Sequence, residues 1–257
     1  MNLPNNKFTH AIAAGKKQIG LWVGLTSNFA ANVVAPSGYD WVLVDMEHSP
    51  NTMDSVLGQL QVFEASDTTA IVRPEWNDPI LVKRLLDMGA QGLLFPMVQT
   101  VEEAELAVAS TRYPPRGIRG VSGSMRGNKF GRITDYNDRV EDETTVIIQI
   151  ETMAAIGRAE EIGAVDGVSG IFFGPADIAA DMGMLGKPND PAVWDAIMPA
   201  AKKLMAMGVP VGTLVLDVEL AAKLANEGFT FVACGTDASI LAKGSDALLA
   251  TMKEKIS

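Results

Sequence analysis

Short apolar runs recur along the chain at Ile19–Leu25, Trp41–Asp45, Thr69–Val72, Gly92–Phe95, Thr145–Ile150, Gly170–Phe173, Val209–Leu214 and Phe229–Cys234, most of them bounded by Gly, Pro or Asp. Runs of this length and composition predict eight buried strands. The segments between them carry helical spacing: Ser27–Val34, Met53–Ala65, Pro79–Met88, Val101–Ser110, Met153–Ile162, Pro191–Met207, Val218–Glu227 and a last helix within Ala238–Lys255. Some ends are legible. Asp78 precedes Pro79 as an N-cap precedes a first helical proline, and Gly89 and Gly208 stand where a left-handed C-cap follows. Strand alternating with helix implies a parallel sheet, and eight such units without a break in composition predict one domain over residues 1–257, a (β/α)8 TIM barrel. An amphipathic stretch, Phe8–Lys17, adds an extra N-terminal helix that plugs the bottom of the barrel.

One segment breaks the rhythm, from about Arg112 to Thr144. It is rich in Gly and Arg, and Gly120-Val121-Ser122-Gly123-Ser124-Met125-Arg126-Gly127 permits tight turns. It lacks the Gly-Lys-Ser/Thr ending of a phosphate-binding loop, so the expectation is a loop that shapes a pocket.

Composition narrows the partners. The 257 residues are 47% apolar and 20% charged, with a formal net charge of -10. That balance repels phosphate backbones and acidic membrane surfaces, so neither nucleic acid nor membrane is expected as a partner. The one cysteine, Cys234, lies in a strand-like run and reads as a small buried residue. The N-terminus is polar, and no apolar run approaches the ~20 residues of a membrane span. A soluble cytoplasmic protein is the expectation.

In a barrel of this kind chemistry sits where the strands end. Asp45-Met46-Glu47-His48 follows the second strand, Arg73-Pro74 the third, Gln149 and Glu151 close the fifth, Asp177 follows the sixth and Asp237 the eighth. His48 and Asp45 together suit a base oriented by a carboxylate; His48 alone would be a solvated loop residue. Arg73 offers a planar cation for a carboxylate or enolate oxygen, or else an ion pair within the barrel. Glu151 alone could cap a helix, and Asp177 alone could start one. Taken together, these two hard oxygen ligands describe an open site for a divalent metal, Mg²⁺ or Mn²⁺. His10 reads as a surface helix residue, and Lys83 and Lys202 as helix surface, which leaves no strand-end lysine for a Schiff base.

Five blocks then carry a resemblance: Val44-Asp45-Met46-Glu47-His48-Ser49-Pro50-Asn51, Val72-Arg73-Pro74-Glu75-Trp76-Asn77-Asp78-Pro79, Arg112-Tyr113-Pro114-Pro115-Arg116-Gly117-Ile118-Arg119-Gly120, Gln149-Ile150-Glu151-Thr152 and Gly174-Pro175-Ala176-Asp177. In order and spacing, over nearly the whole chain, they resemble the class II 4-hydroxy-2-oxoheptanedioate and 2-keto-3-deoxyglucarate aldolases. The resemblance implies a lyase that reversibly splits 4-hydroxy-2-oxo acids into pyruvate and an aldehyde, in the breakdown of aromatic compounds or sugar acids. It assigns the metal (Mg²⁺, Mn²⁺ or Co²⁺) to Glu151 and Asp177, and the enolate oxygen to Arg73. The aldol hydroxyl proton falls to a His48–Asp45 dyad, and the pyruvate carboxylate to backbone amides around Gly174, Pro175 and Ala176, with Gln149 nearby. It also implies that Asp87 reaches a neighbouring subunit's site, that the last helix packs on a partner, and that the assembly is a trimer-of-dimers hexamer. The 112–144 segment and Val215-Leu216-Asp217 are expected to border the aldehyde side. Two other readings remain: a related barrel lyase acting on CoA esters or coupling decarboxylation to carbon–carbon bond formation, and a non-catalytic metabolite-binding protein.

Overall fold

The computed structural model describes residues 1–256. Its eight strands are β1 (Gln18–Val23), β2 (Trp41–Asp45), β3 (Thr69–Arg73), β4 (Gly92–Phe95), β5 (Thr145–Ile150), β6 (Gly170–Phe173), β7 (Val211–Leu214) and β8 (Phe231–Thr236). All pair in parallel with their sequence neighbours, and β8 closes on β1, giving the α/β barrel that the alternation predicts. Two strands start later than expected. Pro210 has no N–H to give the ladder and only accepts, from Ile171 N (2.9 Å). Phe229 N–H closes the preceding helix on Leu224 O (3.1 Å), so β8 begins beyond it. The helix expected over Met153–Ile162 is two short ones, Met153–Ile156 and Ala159–Gly163, parted at Gly157-Arg158.

Strand periodicity sorts the core into two layers. Trp22, Trp41, Leu43, Ile71, Leu94, Ile147, Phe172 and Phe231 fill the barrel interior. The alternate residues, such as Val42, Val44, Val72, Leu93, Phe95, Ile148 and Ile150, face the surrounding helices. The interior rings need space on neighbouring strands, and glycines provide it. A Cβ on Gly20 would lie 2.2 Å from the Trp41 ring, and one on Gly212 would lie 2.1 Å from Phe231. Gly212→Ala is therefore expected to lower stability by about 1–3 kcal/mol through overpacking, read as a drop in Tm.

The N-terminal helix, Lys7–Ala13, seals the end where the strands begin, with Phe8 and Ile12 buried against Trp41 and Phe231. Asn6 fixes its entry. It accepts from Thr9 N, donates to Gln91 O (2.8 Å) and Thr145 Oγ1 (2.9 Å), and gives its own N–H to the buried Glu143 Oε2 (2.6 Å). His10 Nε2 lies 3.2 Å from that carboxylate, so this half-exposed residue is tied into the plug rather than free on the surface.

The last helix, Asp237–Ile256, stands apart. Only Asp237 in it is buried, while Ile240, Leu241, Leu248, Leu249, Met252 and Ile256 are exposed. No helix among the described residues is long and apolar enough to cross a membrane.

Candidate active site

On three of the strands the inward column is apolar until its last step, where it turns polar. On β2 the inward residues run Trp41, Leu43, Asp45; on β3, Ile71 then Arg73; on β5, Ile147, Gln149 and, just past the strand, Glu151. These four polar residues are 2–5% exposed, above the aromatic layer at the end where the strands finish.

Arg73 is the hub. Its Nε and Nη2 donate to the two oxygens of Asp45 at 2.8 and 2.7 Å, its Nη1 lies 2.8 Å from Glu47 Oε2, and its guanidinium covers the Trp22 ring at 5.2 Å. Burial acts to raise the Asp45 pKa, but the two Arg73 hydrogen bonds and its charge outweigh that and hold it below the usual carboxylate range. Glu47 goes the other way. Burial and the charges of Asp45 and Asp177 raise it against the opposing pull of Arg73 and His48. Glu151 is pushed furthest, to about 8, by burial first and then by Asp177 and Glu47. Its one backbone donor is Met97 N (3.4 Å), delivered by a residue held at φ +52, a left-handed conformation uncommon outside glycine.

Several expectations change at this level. Asp45 does not orient the His48 ring: its carboxylate is occupied by the Arg73 fork and by the backbone N–H groups of Glu47 and His48 (3.0 and 3.4 Å). The nearest acidic oxygen to His48 Nε2 is Glu47 Oε2, at 3.9 Å, and the imidazole is 65% exposed. Asp177 lies in the first turn of the helix Pro175–Asp181, exposed, with Gly174 as the N-cap. A carboxylate cradle of backbone amides cannot use Gly174, whose N–H goes to Ile150 O (3.0 Å), nor Pro175, which has none; the first-turn donor in that set is Ala176. Asp237 is structural: it takes the N–H groups of Gly24 and Leu25 (2.9 and 3.0 Å) and ties β1 to β8. Gln149 is buried, with an amide oxygen that has no protein partner.

The 112–144 segment does not border its own barrel's rim. It leads from the helix Val101–Thr111 to the start of β5, so it lies on the opposite face, where Met125, Ile133, Tyr136 and Val140 pack with Leu3 into a small separate core. Asp87, the last residue of the helix Pro79–Asp87, is on that face too, and its carbonyl accepts from Gly127 N (2.9 Å). A cavity of about 360 Å³ opens there, but its charges are paired with one another, Lys7 with Asp67 and Arg126 and Lys129 with Glu64. Within its own barrel this is the face that carries stability rather than chemistry.

Sequence reasoning put Glu47 at the rim but gave it no role, because strand parity stops at Asp45, and it missed Met97 because nothing in Phe95-Pro96-Met97 announces a positive φ. Among the described residues no group of three or more His, Cys, Asp or Glu is arranged to hold a metal on its own. What the rim does hold is an excess of negative charge: Asp45, Glu47 and Glu151 share one guanidinium, and the charge of Asp177 acts on Glu47 and Glu151 beside them.

Comparison with known proteins places the chain in a family. A pyruvate aldolase from Rhizobium etli is 50% identical over 250 residues, covering 97% of this chain and 98% of that one. A 4-hydroxy-2-oxo-heptane-1,7-dioate aldolase from Klebsiella pneumoniae is 47% identical over 247 residues, 96% of this chain and 93% of that one. The crystal structure of an HpcH/HpaI aldolase/citrate lyase family protein from Burkholderia cenocepacia superposes with a TM-score of 0.93 at 34% identity, covering 97% of this chain and all (100%) of that one. With residues 18–243 matching the family's sequence profile, the chain belongs to the HpcH/HpaI aldolase/citrate lyase family.

Proposed function

We propose that the protein is a divalent-metal-dependent aldolase that cleaves 4-hydroxy-2-oxo acids reversibly to pyruvate and an aldehyde. The observation that carries this reading is the crowding of Glu47 and Asp177 on the buried Glu151, with Arg73 as the one guanidinium beside Glu47 and Glu151. Like charges in a buried site need a cation or shared protons, and the donors are hard oxygens suited to Mg²⁺, Mn²⁺ or Co²⁺. Glu151 and Asp177 would hold the metal, and the unpartnered Gln149 oxygen supports a polar guest beside them. When bound, the metal supplies Lewis-acid stabilisation of the oxygen that gains charge as the bond breaks.

The chain's own groups do the rest. Two of the five Arg73 N–H groups donate to Asp45, and Nη1 lies against Glu47 as an ion pair without a hydrogen bond, so N–H groups remain for the 2-oxo oxygen; Asp45 and the Trp22 ring fix the plane of the guanidinium. His48, exposed at the rim, takes the proton of the 4-hydroxyl and returns it in the reverse direction, with Glu47 as its nearest acidic neighbour. The Ala176 amide, with Gly174 and Pro175 shaping its turn, holds the pyruvate carboxylate. The apolar stripe of the last helix supports an oligomer, a hexamer built as a trimer of dimers, in which Asp87 enters a neighbour's site. Its position on the face away from its own rim favours that arrangement.

The direct test is pyruvate release from 4-hydroxy-2-oxo acids with and without EDTA. Activity should vanish in EDTA and return with Mg²⁺, Mn²⁺ or Co²⁺; full activity in EDTA sinks the reading. His48→Ala is expected to cut cleavage roughly 10²–10⁴-fold with metal affinity retained. The metal-free protein should also show the Glu151 ionisation as a pH effect. Its carboxyl is raised to about 8 when folded, so the stability associated with its protonated form is complete below the unfolded pKa of about 4.5 and is lost as pH rises through 8. Tm of the metal-free protein should fall over that window, and metal addition at neutral pH should release a proton, measurable by calorimetry in two buffers.

A further inference from the structure

The block Arg112–Gly120 is used by none of the chemistry above, yet it places a charge in an unusual setting. Gly117 lets the loop lie on the helix Val101–Thr111: a Cβ there would meet Ala109 O and Arg112 O at 2.3 Å each, while Ile118 N donates to Ala109 O (2.8 Å) and Arg119 N to Arg112 O (2.9 Å). The Arg119 side chain enters the interior and is 0% exposed. Its guanidinium lies 4.6 Å from the Tyr113 ring and 5.9 Å from the Tyr136 ring. Nη2 donates to Asp87 Oδ1 (2.9 Å) and Tyr136 OH (3.3 Å), whereas Nε and Nη1 have no partner.

For stability alone this is a poor design. A buried cation with unmet donors costs free energy, and apolar side chains of the same volume usually serve as well or better. What the arrangement achieves is outside the buried cluster: Asp87, with 27% of its side chain exposed, is held by a fully buried group packed between two tyrosine rings. We propose that Arg119 is a positioning residue for Asp87, with the Tyr113 and Tyr136 rings fixing the guanidinium so that the free Asp87 oxygen projects in one direction into the neighbouring subunit's site. This rests on the reading that Asp87 serves that site.

The experiment is a double-mutant cycle on the assembled, metal-loaded protein, comparing wild type, Arg119→Lys, Asp87→Asn and the double variant. Lys keeps the charge and loses the planar fork. Arg119→Lys should lower kcat roughly tenfold or more, as misplacement of a catalytic-site group does. KM for the 2-oxo acid and metal affinity, which rest on the rim residues assigned to pyruvate and metal, should stay unchanged. In the Asp87→Asn background the same substitution should cause no further loss. A wild-type kcat for Arg119→Lys beside a crippled Asp87→Asn, or a loss that persists undiminished in the Asp87→Asn background, overturns the positioning role and leaves the Asp87 reading standing. A wild-type rate for Asp87→Asn overturns both. If Arg119→Lys does not assemble, Tyr136→Phe, which removes one partner and keeps the ring, replaces it in the cycle, with a kcat loss of roughly two- to fivefold expected and the same criteria.

Discussion

Replacing Glu151 by Gln is expected to end turnover and metal uptake together while making the metal-free protein more stable. The shape of the side chain is kept, and only its charge is removed. In the wild type that charge is buried beside Asp177 and Glu47, which together with desolvation push the carboxyl to about 8. At pH above 8 the metal-free protein therefore carries an unfavourable ionised group that the amide does not reproduce, so the variant's Tm should exceed the wild type's there. With metal present the order reverses, because a ligand that binds only the folded wild type stabilises it by mass action. Cleavage should fall roughly 10³-fold or more, since the preorganised charge at the developing oxyanion is usually a large part of catalysis. Denaturation curves with and without metal, together with calorimetric metal titration, separate these effects. A Gln variant that still binds metal as tightly as the wild type refutes the assignment.

Arg73→Ala should damage both stability and rate. The side chain is 6% exposed and is the partner of Asp45 and Glu47; its removal leaves the buried Asp45 and the half-buried Glu47 without their cation. Breaking a buried pair from one side costs about 3–5 kcal/mol, mostly through the charge left behind. Neutralising that charge should recover part of the loss, so Asp45→Asn in the Arg73→Ala background is expected to raise Tm again. Activity should not recover, because the Arg73 N–H groups left for the substrate oxygen are gone in both variants. Arg73→Lys should resemble Ala in rate more than in stability: an ammonium pairs with Asp45 but cannot present a planar fork over Trp22. Urea denaturation and steady-state kinetics on the four proteins check this, and recovery of both properties in the double variant would count against the role given to Arg73.

Much of the rim was legible because strand parity extends to it. Trp41, Leu43 and Asp45 lie two residues apart on one strand, as do Ile71 and Arg73 on the next, so once the strands were found, the inward direction of Asp45, Arg73 and Gln149 followed. Contacts beyond the strand ends did not follow. His48 and Asp45, three residues apart, suggested a dyad, but the loop turns the ring outward and the Arg73 fork takes the carboxylate. The sequence position of the 112–144 segment also sets its place: a connection from helix to strand must end where the strand begins, away from that barrel's chemistry.

The amino-acid pattern by itself determined the barrel, its closure by eight parallel strands and the carboxylates and cation at its rim, because period-two alternation and helix caps are local properties of the chain. The tertiary structure decided which of those charges are partners: that Asp45 holds Arg73 rather than His48, that Glu47 joins the cluster, that Met97 turns its N–H to Glu151 and that Arg119 is buried against Asp87. Pairing of this kind depends on how far each side chain reaches across neighbouring strands and on which charges burial forces to share a counterion, and neither quantity is carried by spacing along the chain.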